Sequence, residues 1–281
     1  MIATYHNHST WSDGKASVAD LVNAAHTMQI AELGVSDHWV LHPRGTQFKW
    51  AMPTDRLADY VSEITSVKKR TSRVGEPMVR LGLEVDWHPG NAAPLKHVLE
   101  QYPFDYIIGS VHQIQLADGT EFMIDGSATA WEKLSQEQIN QMHRQYWRNV
   151  RSLAESGVFD ILAHIDLPKK FAFYPTIDLK GEIGDALDAI ANANTSTGDA
   201  LVVEVNTAGW HKPCADAYPA LDILRECRRR EIPSTINADA HHPEHLLRDF
   251  DRAAQRLADA GYQHIARFAE RRVRMEPLGS H

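Results

Sequence analysis

The chain has few cysteines, no long apolar run and no excess of positive charge. Its only cysteines, Cys214 and Cys227, form no CxxC pair, so no disulfide scaffold is expected and a reduced, cytoplasmic compartment is favoured. The sequence contains no run of about eighteen apolar residues and no signal-peptide pattern, so we expect neither membrane insertion nor export. A formal net charge of -8 gives no general attraction to nucleic acid or to an anionic membrane.

Three short basic clusters interrupt this acidic balance, at residues 68–70, 228–230 and 271–274. No aromatic platform is interleaved with them, so we expect solvated helix faces or chain ends rather than a nucleic-acid interface. Residues 276–281 are expected to form a polar tail outside the folded domain. Residues 1–275 are expected to form one domain, because α/β barrels of this length fold as a single unit.

Seven short segments rich in aliphatic or β-branched residues are, for the most part, followed by amphipathic helical patterns. This alternation predicts βαβ units and a parallel sheet, and seven repeats favour a closed or nearly closed barrel. The predicted strands are 2–5, 32–35, 79–83, 106–108, 159–162, 201–203 and 233–236. The predicted helices are 17–29, 54–70, 135–155, 180–194, 216–230 and 244–260. The loop 39–53 is either an active-site lid or an ordinary surface loop.

Two histidines, His6 and His8, follow the first predicted strand one residue apart. In an extended strand both imidazoles point to the same side, as a pair of metal ligands would, although a polar strand end is the simpler explanation of this pair alone. The other six strands also end in residues that can bind a metal or a polar ligand. These residues include Asp37, His38, Glu84, Asp86, His112, His164, Asp166, Glu204, Asn206, Asn237, Asp239 and His241.

Each of these strand-end residues has an ordinary structural explanation, such as a hydrogen-bonded histidine or a buried ion pair. The same explanation would have to hold seven times at the same end of the barrel, which is the end where barrel enzymes work. Several buried charges would then lack partners, at a cost of several kcal/mol each. Divalent cations remove that cost, so the pattern predicts a metal cluster.

The ordered motifs HxH, SDH, GLEVDW, GSVH, AHID and NADAH resemble the PHP family, named for its polymerase and histidinol phosphatase members. The longer stretches GLEVDWHPG, ILAHIDLPKKF and NADAHHPEHL resemble its stand-alone histidinol-phosphate phosphatase branch. The resemblance extends from His6 to about His245. It implies a distorted (β/α)7, TIM-like barrel with two to three divalent metal ions at the carboxyl ends of its strands.

The resemblance also implies a ligand set for each ion. The first ion is expected on His6, His8, Glu84 and Asp239, the second on Glu84, His112 and His164, and the third on Asp13, His38 and His241. Position 13 often carries a histidine in the family, so Asp13 leaves the third metal's identity open among Zn, Mn and Fe. Asp13 could also be a turn residue in Ser12-Asp13-Gly14. Asp37 and Asp166 are expected to orient neighbouring ligands, and His242 and His245 to begin a helix.

The resemblance implies hydrolysis of a small phosphomonoester by a metal-activated hydroxide, with Glu84, Asp239 and His241 as catalytic residues. We expect Lys169 or Lys170 to bind the phosphate, with Arg44 and His42 as further substrate contacts. The general acid is not evident; Asp239 or a metal-bound water could serve. No GxSxG or Walker A motif is present, which argues against a serine hydrolase or an NTPase.

The favoured substrate is L-histidinol phosphate, an intermediate of histidine biosynthesis. The alternatives are another small phosphate ester, such as a nucleotide or sugar phosphate, and a non-catalytic metal-binding module. A small-molecule substrate is therefore the expected partner, with no nucleic acid and no membrane, and the oligomeric state stays open.

Overall fold

The computed structural model describes residues 2–71, 75–116 and 119–279, which contain thirteen strands and eight α-helices. The strands are β1 (Ala3–Thr4), β2 (Glu32–Val35), β3 (His38–Trp39), β4 (Met78–Leu81), β5 (Glu84–Asp86), β6 (Ile108–Ser110), β7 (Gln113–Gln115), β8 (Glu121–Met123), β9 (Ile161–Leu162), β10 (Val202–Asn206), β11 (Ser234–Asn237), β12 (His264–Ala269) and β13 (Arg272–Pro277). The helices are α1 (Val18–Thr27), α2 (Leu57–Arg70), α3 (Ala92–Leu99), α4 (Ala128–Glu132), α5 (Gln136–Glu155), α6 (Lys180–Asn192), α7 (Leu221–Arg229) and α8 (Phe250–Asp259).

Parallel strands form a ring of seven members, two of which are interrupted. One sheet has the order β1-β2-β4 and another the order β11-β10-β9-β6-β5-β3, with β2 continuing into β3 and β4 into β5. A parallel bridge between Asn7 and Ala240 connects the first ring member to the last. The predicted distorted (β/α)7 barrel is confirmed, with each of the seven strands within three residues of its predicted bounds.

Helix starts follow local capping chemistry. Ser17 and Ser135 each accept a hydrogen bond from a backbone N–H three residues on, and the side chains of Asp20 and Gln138 complete the two capping boxes. The helix predicted over 244–260 instead begins at Phe250, because Asp249 has a left-handed backbone (φ 60°). None of the helices among the described residues is long and apolar enough to cross a bilayer.

A C-terminal β-hairpin of β12 and β13 was not predicted. It closes the barrel at the amino ends of the strands, where Phe268 packs its ring 5.2 Å from that of Tyr5 and 6.0 Å from that of Tyr106. Strand β13 extends to Pro277, so the tail predicted from residue 276 begins inside a strand. Residues 280 and 281 of that tail lie outside the described residues.

Two of the basic clusters differ from the expectation of solvated side chains, because one residue of each binds a buried carboxylate. Arg271 binds the fully buried carboxylate of Asp160 through Nε and donates from Nη2 to the carbonyl of Val158 at 2.7 Å. Lys68 places Nζ 2.7 Å from the buried carboxylate of Asp105. Both cations therefore neutralise carboxylates that the barrel buries. Sequence composition alone does not reveal these ion pairs.

Arg271→Ala tests how far the hairpin stabilises the barrel. The variant leaves Asp160 buried without its cation, so we expect a loss of about 3–5 kcal/mol in the free energy of unfolding at pH 7. Arg274→Ala is the matched control, because the Arg274 side chain is 63% exposed. Chemical denaturation measures both variants.

The loss in Arg271→Ala should shrink as the pH falls from 7 toward 5. Burial raises the pKa of Asp160 to about 6 despite the opposing effect of Arg271. The folded state therefore holds this proton more tightly than the unfolded chain does, and protonation removes the unpaired charge. A pH-independent loss would contradict this account.

Candidate metal centre

Glu84 is fully buried at the start of β5, where two parts of one barrel strand meet. Its two carboxylate oxygens lie among five imidazoles that come from four other barrel strands. The distances to Oε2 are 3.1 Å from His6, 3.5 Å from His8 and 2.7 Å from His38, and those to Oε1 are 3.7 Å from His112 and 3.4 Å from His164. Among the described residues, no lysine or arginine lies within 4.0 Å of the Glu84 carboxylate.

Two further carboxylates extend the group toward solvent. Oδ1 of Asp239 lies 3.2 Å from Nε2 of His8 and 3.6 Å from Nδ1 of His241. Oδ1 of Asp13 lies 3.3 Å from Nε2 of His241 and 3.8 Å from Nε2 of His38. The structure thus brings together all nine residues predicted as metal ligands. We call them the mouth cluster: His6, His8, Asp13, His38, Glu84, His112, His164, Asp239 and His241.

The donor atoms of the mouth cluster fit divalent cations. Several of them are buried without any hydrogen bond, including Nε2 of His6, both ring nitrogens of His8, both oxygens of Glu84 and Oδ1 of Asp13. Such atoms cost about 1–3 kcal/mol each unless another partner binds them. Nitrogen and carboxylate ligands in this number are typical of Zn, Mn and Fe sites.

The mouth cluster contains three groups of residues, and within each group the donor atoms all lie within 4.8 Å of one another. They are His6, His8 and Glu84; His38, Glu84 and His112; and His8, Asp13, His38 and His241. The grouping resembles the predicted ligand sets but gives His38 contacts on two sides, with Glu84 and with Asp13. Glu84 belongs to two of the three groups, as a bridging ligand requires.

Two of these residues adopt backbone conformations that side chains other than glycine rarely take. His164 has φ 27° and Asp239 has φ 52°. The His164 amide donates to Glu204 at 3.1 Å, and the Asp239 carboxylate accepts from Asn206 at 3.2 Å. Unfavourable backbone held by such contacts is common at functional sites.

A second layer of carboxylates orients the histidines. Nδ1 of His6 lies 3.0 Å from Glu204, and Nδ1 of His112 lies 3.2 Å from Asp86. The sequence placed Glu204 and Asp86 at strand ends but did not assign them this role. Carboxylates that fix the tautomer of a metal-binding histidine are usual in metal sites.

The two aspartates predicted as orienting residues act on loops instead. Asp37 accepts hydrogen bonds from the backbone and hydroxyl groups of Ser9 and Ser12, at 2.6–3.0 Å, and so holds the loop that carries Asp13. Asp166 accepts from the Ala220 amide at 2.9 Å. Burial raises the pKa of both carboxyl groups, and these hydrogen bonds oppose that rise.

Electrostatics in the mouth cluster favour ionised carboxylates. Burial acts to raise the pKa of Glu84, but His38 and His6 hold it well below its usual range. Burial lowers the pKa of His8 to about 3, and the neighbouring His38 and His241 act in the same direction. The ionised Glu84 and the neutral His8 are therefore in the protonation states that a divalent cation binds.

The mouth cluster opens into a cavity of about 360 Å³, the mouth cavity. Three cationic side chains line it, Lys170, Lys212 and Arg248, of which the sequence predicted only the first. His242 and His245 line it too. His242 immediately precedes a short 3₁₀ helix, Pro243–His245, as expected, but His245 ends this helix, so it is not at a helix start.

The lysine pair divides between two environments. Lys169 is buried beneath the cavity, with Nζ 2.8 Å from Asp216, 2.9 Å from Asp166 and 2.7 Å from the Ala217 carbonyl. Lys170 lines the mouth cavity, and its Nζ donates to the Asp125 carbonyl at 3.0 Å. Of the two lysines, only Lys170 lines the mouth cavity.

His42 and Arg44 lie in a second cavity of about 470 Å³, together with His88 and Glu121. Oε1 of Glu121 accepts from Nε2 of His42 at 2.9 Å and from Arg44 at 2.7 Å. The Trp50 ring lies 5.0 Å from that of His38 and 5.3 Å from that of Phe48, which neighbours His42 at 5.8 Å. Trp50 thus borders the mouth cluster on the side of this second cavity.

Named relatives are similar to this chain in sequence, and solved structures are similar to it in fold. A protein of Deinococcus radiodurans named "Probable histidinol-phosphatase" is 33% identical over 244 residues, 86% of each chain. A crystal structure of the Lactococcus lactis histidinol phosphate phosphatase, complexed with zinc, L-histidinol and phosphate, matches with a TM-score of 0.76 at 18% identity, over 97% of this chain and 98% of that one.

A solved chain from Listeria monocytogenes matches with a TM-score of 0.75 at 21% identity, over 89% of this chain and 99% of that one. At such identities these structures establish the fold alone. The family model of the PHP domain matches residues 4–208, which is more than half of the chain and includes seven of the nine mouth-cluster residues. The chain therefore belongs to the PHP family.

Proposed function

We propose that this protein is a metal-dependent phosphatase that hydrolyses L-histidinol phosphate to L-histidinol and phosphate. The observation that carries the proposal is the mouth cluster itself, which opens directly into a cavity lined by three cations. A phosphomonoester dianion needs positive charge around its phosphoryl group, and this cavity supplies it. The names of the relatives, and the L-histidinol and phosphate in the Lactococcus lactis structure, support the choice of substrate.

The mouth cluster would hold two or three divalent ions, of Zn, Mn or Fe, with Glu84 shared between two of them. When bound, the ions activate the attacking water and offset the negative charge of the phosphoryl group. Asp239 and His241 belong to the cluster and also line the cavity, so they would meet both an ion and the substrate. Zinc in the Lactococcus lactis structure supports this assignment.

Lys170 and Arg248 would bind the phosphate oxygens that the ions leave free. Lys170 is held in place by Asp125, and Arg248 has a buried Nε without a hydrogen bond, ready to donate to an incoming anion. His42 and Arg44 line the second cavity and bind Glu121 there, so their expected role as substrate contacts has no support from the geometry of the mouth cavity.

The test of this function is phosphate release from a panel of small esters by metal-reconstituted protein. The panel contains L-histidinol phosphate, a nucleoside monophosphate, a sugar phosphate and p-nitrophenyl phosphate. We expect L-histidinol phosphate to have the highest kcat/KM among the biological esters. A higher value for a nucleotide or a sugar phosphate would assign the site to another phosphoesterase, and no release from any ester would argue for a non-catalytic module.

Glu84→Gln tests the bridging role. An amide cannot bridge two cations as a carboxylate does, so we expect loss of at least one metal equivalent per chain. Removing residues that only orient a ligand costs about 10–100-fold, and we expect kcat/KM to fall further than that. Glu63→Gln, on an exposed surface, is the control. Elemental analysis and phosphate release measure both; unchanged metal content and turnover in Glu84→Gln would refute the assigned architecture.

Substitution of the two neighbouring lysines should affect different properties, activity for Lys170 and stability for Lys169. Lys170→Ala removes a charge-assisted contact, so kcat/KM should fall by about 10–100-fold with metal content and melting temperature retained. Lys169→Ala leaves Asp166 and Asp216 without their shared cation, so its melting temperature should fall. Full activity in Lys170→Ala would contradict a phosphate contact and would leave Lys170 with a structural role only.

Asp13 tests the third metal position. Asp13→Ala should lose one equivalent and most activity while the ions at Glu84 stay bound. Asp13→His should keep three ions but change which metal gives the highest turnover, because imidazole is a softer ligand than carboxylate. Elemental analysis after reconstitution with Zn, Mn or Fe measures both variants. Full metal content in Asp13→Ala would make Asp13 a turn residue only.

A further inference from the structure

Hydrolysis of an alkyl phosphate needs a proton donor for the oxygen that leaves phosphorus, because an alkoxide is a poor leaving group. The ions and the phosphate-binding cations described above stabilise the phosphoryl group but donate no proton to this oxygen. In an in-line displacement the leaving oxygen is opposite the attacking water. An attacking water held at the buried Glu84 would direct the leaving oxygen toward the solvent side of the mouth cavity.

Lys212 is exposed to solvent. It follows β10 and a short 3₁₀ helix, Thr207–His211, and lines the mouth cavity together with Asp239 and His241. Its backbone N–H donates to the Gly209 carbonyl at 3.1 Å, and its own carbonyl accepts from the Ala215 amide at 2.8 Å. These bonds fix the point from which the side chain extends.

Among the described residues that line the mouth cavity, Lys212 is the one cation that both lacks a partner and can give up a proton. Lys170 is bound to Asp125, and the guanidinium of Arg248 does not lose its proton in proteins. Among residues 2–71, 75–116 and 119–279, no carboxylate lies within 4.0 Å of the Lys212 Nζ and this atom makes no hydrogen bond. Its protons are therefore free for a substrate.

The charges around Lys212 favour release of a proton. Partial burial lowers its pKa, and the Lys170 and Arg248 cations lower it further, against the raising effects of Asp239 and Asp125. A lysine whose pKa is reduced toward the working pH is a better general acid than an ordinary one. Tyr218, which also lines the cavity, has the pKa of its hydroxyl raised by burial and is far less acidic.

We propose that Lys212 is the general acid of the reaction, an inference that rests on the proposed phosphatase function. A water oxygen bonds to phosphorus while the bond from phosphorus to the ester oxygen breaks. The ester oxygen takes a proton from the Lys212 ammonium and leaves as the alcohol. The attacking water gives up a proton to solvent, and the Lys212 amine recovers one from solvent, so the sum is ester plus water to alcohol plus phosphate.

The test compares two leaving groups in the metal-loaded enzyme. L-Histidinol phosphate leaves as an alkoxide that needs a proton, whereas p-nitrophenyl phosphate leaves as a stable phenolate that does not. Lys212→Ala should lower kcat/KM for L-histidinol phosphate by on the order of 10²–10⁴-fold but should lower it far less for p-nitrophenyl phosphate. Lys212 is exposed at the cavity rim, so its replacement should leave the fold intact.

Two further variants separate proton donation from simple charge. Lys212→Arg keeps the positive charge but holds its proton too tightly, so it should not restore turnover of L-histidinol phosphate. Lys170→Ala, which removes a phosphate contact, should reduce both substrates by similar factors. In the unmodified enzyme kcat/KM for L-histidinol phosphate should fall on the basic side as Lys212 loses its proton, and this limb should be absent in Lys212→Ala.

The outcomes distinguish this inference from the proposed function. If the unmodified enzyme hydrolyses neither ester, the proposed function fails. If it hydrolyses both and Lys212→Ala reduces them equally, or if Lys212→Arg restores full activity, Lys212 is a phosphate-binding cation and the proton comes from elsewhere. A selective loss for the alkyl ester that arginine does not rescue supports the general acid.

Discussion

The rest of the barrel must hold one buried carboxylate, that of Glu84, among five imidazoles. Glu84 is inaccessible to solvent, and burial by itself would drive it toward its neutral form. The imidazoles keep it charged, but the protein leaves both of its oxygens without hydrogen bonds. A site with this many unsatisfied donor atoms is stable only because the surrounding strands hold it, and it gains most from binding cations.

The two ends of the barrel show how that cost is met. At the amino ends of the strands, buried charges have partners, as in the pair between Arg271 and Asp160, and the rings of Tyr5 and Phe268 fill the interior. At the carboxyl ends, donor atoms stay unpaired and Asp239 has an unfavourable backbone. This division between a stabilising end and a reactive end is usual for α/β barrels.

The metal cluster could be predicted from the sequence because its residues follow strands whose carboxyl ends must meet. His6, Glu84 and Asp239 are far apart in the chain, yet parallel strands leave them no other place. The hairpin over residues 264–277 could not be predicted in the same way. Its exposed strand alternates charged residues with Val273, Met275 and Pro277, and this alternation was interpreted as part of a solvated basic cluster. The role of the hairpin appears only when Arg271 meets Asp160.

The assignment of substrate contacts shows a second limit of sequence. Lys169 and Lys170 are equivalent by position and charge, and only packing decides that one is buried against carboxylates while the other lines the cavity. Lys212 and Arg248 could not be predicted as cavity residues, because in the sequence a basic residue on a loop cannot be distinguished from an ordinary surface charge. His42 and Arg44 follow the correct strand, but the loop carries them past Trp50 into the second cavity.

The most direct test of the central claim is anomalous diffraction from crystals of the metal-reconstituted protein, recorded at the absorption edge of the metal supplied. The account predicts at least two peaks about 3.5–4 Å apart, both within bonding distance of the Glu84 carboxylate. Anomalous peaks elsewhere in the molecule, with none within bonding distance of Glu84, would contradict it.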